Sequence, residues 1–288
     1  MKDKLKAFAA SIGIDQIGIA PARIYTEIAD KLSDDTPFCT RQTLEEKTNP
    51  YLSMEDAKSI IVYLIPYNVG DKKPSNISRY SWVRDYHEVA TELSNQLNGF
   101  LSKQIPDYEG KAFCDTTPIP QKHLAYLAGL GFFGDNHLLV NEKYGSWFFI
   151  AHILNNYPFL PDVPQKKTCM HCGKCISACP GEVLGKDKAN FNNCVSAITQ
   201  KKSPLTRKEE MCFCDSLWGC DICQFVCPHN QNVALTPLTR YFGEPVAYLD
   251  ESNLRLSHRA FSYKKEDFMR RNLELFEKQR QHKDSDLF

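Results

Sequence analysis

Three features of the sequence predict an α+β fold. Apolar, β-branched stretches at Ser59–Tyr63 and Trp147–Leu154 have the length and composition of buried strands. Helical periodicities lie before and between them. Beyond a proline-marked junction at Pro158, Pro161 and Pro164, ten of the twelve cysteines crowd into residues 169–227. Proline restricts φ and removes a backbone donor, which suits a domain junction. The expected division is a domain of strands and helices over 1–160, a cysteine module over 161–235 and a short helical extension over 236–288.

Leu5, Phe8, Ala9 and Ile12 recur at helical spacing and Gly13 supplies a stop, which predicts a first helix over 3–12. Ile17-Gly18-Ile19-Ala20 reads as a short buried strand ending at Pro21. Residues 33–56 are polar and turn-rich, with Cys39 and Arg41 among them. Ser59–Tyr63 is the profile of a central strand, closed by Pro66. A helix over 86–104 turns Leu93, Leu97, Phe100 and Leu101 inward. Just before it, Arg79-Tyr80-Ser81-Trp82-Val83-Arg84-Asp85-Tyr86-His87 gathers aromatics and cations. The expectation there is that Trp82 and Tyr86 pack inward while the arginines sit on a solvated rim; the alternative is a lined pocket for a polar ligand.

Ala112-Phe113-Cys114 reads as a brief strand that leaves Asp115 at its carboxyl end, ahead of Thr116-Thr117-Pro118. Loops leaving strand ends collect functional sites in α/β proteins, although an aspartate there also serves as an Asx turn. A helix over 121–130 follows, with Leu124, Leu127 and Leu130 inward, and Gly129, Gly131 and Gly134 mark a turn behind it. After Asn230 the chain is polar and helical with Phe261, Phe268 and Leu273 as sparse apolar marks, and from Arg280 onward it reads as a frayed end.

The first cysteine run, Cys169, Cys172, Cys175, Cys179, Pro180, has the C-x2-C-x2-C-x3-C-P spacing of bacterial [4Fe–4S] proteins. In that arrangement three thiolates on one loop hold one cluster and the fourth reaches the neighbouring one. A second run, Cys220, Cys223, Cys227, Pro228, implies a second cluster. The crossed rule groups Cys169, Cys172 and Cys175 with Cys227, and Cys179 with Cys220 and Cys223. Leu217 stands where the second run needs its first cysteine, and spacing leaves Cys194, Cys212 and Cys214 open as the substitute. Structural zinc takes four ligands and has no use for the second x2 step or the x3-C-P ending. A disulfide framework suits a small secreted domain rather than a chain of 288 residues.

Lysine plus arginine equals aspartate plus glutamate at 35 each, so no global field draws the protein to nucleic acid or an anionic surface. Any nucleic-acid site must be local; Lys201-Lys202, Arg207-Lys208 and Arg270-Arg271 are the basic groups available. The longest apolar runs, 60–66 and 147–154, are too short to span a bilayer. The amino terminus, Met-Lys-Asp-Lys, has no secretory h-region. Reduced thiols and labile clusters then predict the cytoplasm.

The order Arg79-Tyr80, Arg84-Asp85-Tyr86-His87, Cys114-Asp115-Thr116-Thr117-Pro118, Ala128-Gly129-Leu130-Gly131, Gly145-Ser146-Trp147-Phe148-Phe149, the first cysteine run, Cys194-Val195-Ser196 and Trp218-Gly219-Cys220-Asp221-Ile222-Cys223-Gln224-Phe225-Val226-Cys227-Pro228 resembles the epoxyqueuosine reductase family. The resemblance extends from the first helix to about residue 275. It implies a nitroreductase-like α+β sandwich that binds cobalamin against a two-cluster ferredoxin-like domain. It also implies an oxidoreductase that reduces the epoxide of epoxyqueuosine in tRNA to the alkene of queuosine, with loss of water. Carried over, Cys194 becomes the missing ligand beside Cys179, Cys220 and Cys223, and Cys212 and Cys214 become spare thiols. Asp115 matches the proton donor, since oxygen leaving the epoxide must be protonated. Arg79, Ser196 and Asp221 match corrin-contacting positions. The implied partners are the tRNA anticodon loop and an external low-potential electron donor, with a monomer favoured.

This sequence departs from the family at Gln121, where glutamate is usual, at Gly134-Asp135-Asn136-His137, where a basic turn is usual, and at His229, where tryptophan is usual. The family's carboxyl-terminal helical-repeat domain would begin near where this sequence ends, which predicts a short form. Two other functions compete: an electron-transfer protein or corrinoid activator whose amino-terminal domain docks a partner, and a paralogue that reduces a small organic substrate.

Overall fold

The computed structural model describes residues 1–31, 42–185, 191–213 and 216–285; Cys39, Arg41 and Cys214 lie outside them. The strands are β1 (Ile17–Pro21), β2 (Ser59–Pro66), β3 (Gly110–Phe113), β4 (Phe132–Phe133), β5 (Leu139–Val140) and β6 (Phe148–Asn155). The helices are α1 (Lys2–Ser11), α2 (Leu44–Thr48), α3 (Tyr86–Gln104), α4 (Gln121–Leu127), α5 (Lys174–Ser177), α6 (Val195–Gln200), α7 (Arg207–Glu210), α8 (Ile222–Phe225), α9 (Thr239–Phe242) and α10 (Glu266–Ser285). Four strands form one sheet in the order β1-β2-β6-β3, antiparallel throughout, while β4 and β5 pair as a separate ribbon.

Every residue of β2 is buried, because both faces of the sheet are covered. The two-residue alternation of a strand sorts its side chains. Ile61, Tyr63 and Ile65 enter one apolar cluster with Leu5 and Ala9 of α1 and Val89, Leu93, Leu97 and Leu101 of α3. Ile60, Val62 and Leu64 enter a second with Leu124 and Ala125 of α4. Strand β6 continues both sets in register, Ala151 opposite Tyr63 and Ile150 opposite Leu64. Burying one such leucine or isoleucine side chain contributes about 1.5–3 kcal/mol.

Helix α3 begins where Asp85 accepts the backbone N–H of His87 at 2.9 Å, an N-cap bond that satisfies a donor no helical carbonyl can reach. Helix α4 stops three residues short of the expected span. Gly129 takes a left-handed φ of 71°, and the Leu130 N–H turns back to the Ala125 carbonyl. A Cβ at Gly129 would lie 2.6 Å from the Val163 carbonyl, so the same residue lets the proline junction pass close by. The junction is tied down as well: Asp162 accepts the Ile19 N–H at 2.9 Å and pairs with Lys2.

Strand β2 ends at Pro66, the residue expected to close it, where Pro66 lies opposite Phe148 at the sheet's end. The β4–β5 ribbon was not expected; two residues per strand leave no periodicity to read. Downstream of the cysteines, Leu238, Tyr241, Phe242, Leu249, Phe261, Met269, Leu273 and Phe276 join the same cluster as α1 and α3. Between α9 and α10 the described chain is non-helical, and α10 continues to Ser285, beyond the expected onset of fraying.

Candidate functional site

Asp115 sits two residues beyond β3 with a left-handed φ of 56°, a conformation that costs a non-glycine residue free energy and needs outside support. Two side chains supply that support. The Tyr86 hydroxyl, from the first turn of α3, donates to Asp115 Oδ2 at 2.6 Å. The partners of Gln121, the first residue of α4, assign its amide nitrogen to the carboxylate side, where it donates to Oδ1 at 2.9 Å and to the Ile150 carbonyl at 3.2 Å while its oxygen accepts the Asp115 N–H at 2.8 Å. These bonds come from tertiary neighbours rather than from an Asx turn. The carboxylate is exposed, so the loop presents it outward. Because the sheet is antiparallel, the strand-end crevice of parallel α/β folds is not what places it.

An aromatic shelf lies beside this carboxylate. The Tyr86 ring stacks on Phe149 at 4.0 Å on one side and on His87 at 4.1 Å on the other. Tyr67 packs on Phe149 at 4.7 Å and Tyr80 meets it edge-on at 6.2 Å. Burial, then the neighbouring Asp115 charge, raises the Tyr86 phenol far above its ordinary value, so it remains a hydrogen-bond donor. The expectation for this stretch divides. Trp82 is buried and Arg84 sits on the rim with Glu88 and Glu92, as expected, but Arg79 is buried rather than solvated.

Arg79 lies where the sheet domain meets the second cysteine run. Its guanidinium rests 4.5 Å above the Trp147 ring and 5.3 Å from those of Trp82 and Phe225, donates to Asn68 and pairs with Asp71. Its Nε is buried with no partner among the described residues. The Arg79 backbone N–H donates to Asp221 at 2.6 Å, the Ser78 hydroxyl donates to the same carboxylate at 2.6 Å, and Gln224 adds a third bond at 3.1 Å. Burial still raises the Asp221 carboxyl, against those three donors. Nearby, Asn230 Oδ1 accepts the Ser146 N–H at 2.7 Å, and a Cβ on Gly145, whose φ is 58°, would stand 2.0 Å from that oxygen. Side-chain and backbone bonds therefore join the cysteine segment to the sheet directly under the shelf.

The thiols fall into two groups. Cys169, Cys172, Cys175 and Cys227 line one cavity, together with Asp135 and His229. Burial raises the Cys227 thiol and the charges of Cys169 and Cys172 add to it. In the other group burial raises Cys223, followed by Cys220, Cys194, Asp221 and Cys179, and Cys194 in turn feels Cys179. Cys194 caps α6, and Cys212 instead donates its thiol to the Lys208 carbonyl at 3.5 Å after α7. Leu217 is fully buried in the sheet domain's cluster. Four thiols each are the donor set of a [4Fe–4S] cluster, so the residues fit two of them. Asp135 Oδ1 binds His171 Nδ1 at 2.8 Å beside Cys169, and the His171 N–H donates to the Cys169 sulfur at 3.4 Å.

A corrin needs an apolar face and polar groups at its margin. Half-buried Tyr80, Tyr86 and Phe149 offer the face, and the partnerless Arg79 Nε beside it offers a polar margin, so the residues fit. Ser196, half-buried on α6, receives the Gln200 amide at 3.3 Å. Three of the basic residues are engaged within the molecule, Lys201 with Glu209, Arg270 with Glu251 and Glu266, and Arg271 with the Lys201 carbonyl, while Lys202, Arg207 and Lys208 are exposed. Sequence reasoning missed Gln121 and Phe149 as parts of the site; an amide six residues after the aspartate carries no motif, and a strand phenylalanine looks like core. No helix among the described residues is long and apolar enough to cross a membrane.

Residues 47–116 match the family described as epoxyqueuosine reductase QueG, DUF1730, and residues 168–230 match the 4Fe-4S double cluster binding domain. The chain is 34% identical to an epoxyqueuosine reductase of Listeria monocytogenes over 80% of its own length and 65% of that protein's. It is 33% identical to one of Lactococcus garvieae over 81% of its length and 70% of that protein's. Two solved structures superpose on 96% of the chain and 80% of their own. An epoxyqueuosine reductase with a tRNA-Tyr epoxyqueuosine-modified stem loop has a TM-score of 0.85 at 28% identity. The Bacillus subtilis enzyme, with its catalytic aspartate loop swung out of the active site, has a TM-score of 0.86 at 27% identity. The chain thus spans a little under two thirds of the Listeria relative.

Proposed function

The chain belongs to the epoxyqueuosine reductase family, and we propose that it reduces the epoxide of epoxyqueuosine in tRNA to the alkene of queuosine. The observation that carries this reading is Asp115: an exposed carboxylate held in a left-handed loop by Tyr86 and Gln121, beside an aromatic shelf that Tyr67 joins to Gln224 of the second cysteine run. An acid at that place protonates oxygen leaving the substrate. A catalytic aspartate loop is named in the similar Bacillus subtilis structure, and a modified tRNA stem loop is bound in another, which supports both the acid and the substrate.

In this reading Cys169, Cys172, Cys175 and Cys227 hold one cluster, and Cys179, Cys194, Cys220 and Cys223 hold the other. The shelf of Tyr80, Tyr86 and Phe149 would hold cobalamin, with Arg79, Asp221 and Ser196 at its margin, Asp221 acting through the Ser78–Arg79 backbone it secures. Bound there, cobalamin supplies electrons to the substrate's carbon framework. The protein's own part is to hold the substrate oxygen against Asp115, to exclude water with the shelf and to keep the electron path short. The protein is cytoplasmic and monomeric in this reading, receives electrons from an external low-potential donor, and divides at 160 and 235.

The test is anaerobic turnover of epoxyqueuosine-bearing tRNA with cobalamin, reconstituted clusters and a low-potential reductant, read by mass spectrometry of the released nucleosides. Queuosine is expected from the parent protein. Asp115→Asn should lose about 10²–10⁴-fold in rate with iron content and corrin absorbance intact. A fully loaded parent that forms no queuosine sinks the reading.

A further inference from the structure

Reducing an epoxide to an alkene consumes two electrons and two protons. Both carbon–oxygen bonds break, a carbon–carbon π bond forms, and the oxygen departs as water. Two one-electron transfers from a low-potential carrier account for the electrons. Asp115 delivers these protons to the departing oxygen one at a time, so a second must reach it within the same turnover. Resting on the function proposed above, we propose that His87 is the proton reservoir that recharges Asp115 after its first transfer.

The neighbours of Asp115 leave few other sources. Gln121 has no titratable proton. The Tyr86 phenol is held protonated by burial and by the adjacent carboxylate, so it orients Asp115 and does not give up its proton. The Cys114 thiol is buried, bonds to the Ile150 carbonyl at 3.5 Å and is pushed up by burial, then by the Asp115 and Asp85 charges. His87 differs from all three. Its ring stacks on the far face of Tyr86 from Phe149, at 4.1 Å, and its side chain is 44% exposed, so it reaches bulk solvent.

The surroundings of His87 favour a loaded imidazole. Nδ1 pairs with Asp85 Oδ1 at 2.8 Å, which fixes the ring and leaves Nε2 without a partner among the described residues. The Asp85 bond raises the imidazole above its ordinary value, partial burial opposes it, and the Asp85 and Asp115 charges add to the rise. Asp85 also faces His258, whose own Nδ1 is taken by Glu88, and Glu88 pairs with Arg84. When a substrate covers the exposed side of Asp115, His87 remains the adjacent group with a route to water. His87 is not hydrogen-bonded to Asp115, so the proton passes from Nε2 through a bridging water to the Asp115 carboxylate, Asp115 delivers it to the departing oxygen, and solvent reprotonates the imidazole.

Two measurements test this. In single-turnover reduction of epoxyqueuosine-tRNA across pH 6–8.5, His87→Gln should slow the reaction about tenfold or more. KM should change little, the alkaline limb set by the imidazole should vanish, and added imidazole should restore rate. Asp85→Asn should move that limb to lower pH, because it removes the carboxylate that keeps His87 protonated. A His87→Gln rate within about twofold of the parent, or a loss that imidazole does not repair and that leaves the limb in place, overturns the reservoir. Without substrate, NMR titration of the His87 ring should show its pKa falling in Asp115→Asn; an unmoved pKa also overturns it. A parent that makes no queuosine defeats the functional reading itself, whereas product formation with an unchanged His87→Gln profile defeats only the reservoir.

Discussion

The sheet domain fills two broad apolar clusters, whereas the separate core of the cysteine segment is Cys175, Val183 and Leu184, with half-buried Ile176, Phe191 and Val226 and the thiols of Cys179, Cys194 and Cys223 packed on it. One region stands on hydrophobic burial, which needs no ligand. The other has thiols where a core would have leucines, and thiols grouped in fours stabilise a fold chiefly through the metal they bind. The difference teaches where each region is vulnerable. The sheet should respond to lost methylenes and buried charge, the segment to lost ligands and to damage at the joint.

The largest effect should come from Cys194→Ala. It removes one of the four thiols of the second group, so iron content should fall by about half, and residues 168–230 should become susceptible to limited proteolysis while the sheet stays protected. Equal protection of the two regions in this variant would break the comparison. Leu93→Ala, on the buried face of α3, tests the other side. It should cost about 2–5 kcal/mol in denaturant unfolding of the sheet and leave iron binding unchanged.

Acid should act on the sheet through His152, which is fully buried in β6 with both ring nitrogens lacking partners among the described residues. Burial holds its imidazole down at about 3, against an ordinary 6.5. Below that ordinary value the unfolded chain takes up a proton that the folded chain refuses, so stability falls as pH drops through this window. The loss should reach about 2–3 kcal/mol by pH 4.5. Urea unfolding of His152→Leu against the parent at pH 7 and pH 4.5 should show that slope flattened in the variant.

Gly145→Ala strikes the joint. The added methyl meets Asn230 Oδ1 and the left-handed backbone disfavours it, a combination expected to cost about 1–3 kcal/mol. Hydrogen exchange should rise at Ser146 and Asn230 more than within β2. The smallest effect belongs to the rim. Arg23 and Glu27 pair at 2.7 Å, and the Arg23 hydrogen bond, working against burial, brings the Glu27 carboxyl down to about 2, yet both side chains are over 40% exposed. Solvent screening should hold the cost of Glu27→Gln below about 1 kcal/mol in thermal unfolding.

Much of this fold is legible in the sequence. The apolar run at 59–63 could only be a central strand, and Leu93, Leu97 and Leu101 could only face it from one side of a helix, because both patterns arise from local backbone period. The β4–β5 ribbon and the early end of α4 were not readable, since each depends on a turn whose partners, Val140 and Val163, come from elsewhere in the chain. At the site, Asp115 was nominated from its position and family likeness, but its supports were not. Tyr86 and Gln121 lie 29 residues before it and six after it, and a hydrogen bond between separated side chains leaves no periodic trace.

The sequence by itself determined the chemistry of the cysteine segment, because cluster ligation depends on the spacing of thiols along short loops, which the chain carries as written. It also determined the apolar faces that build the sheet. Only the tertiary structure decided that Arg79 is buried in an aromatic box and that Asp115 is held outward by Tyr86 and Gln121. Those are meetings of residues far apart in the chain, and they exist only after packing has closed the loops between them.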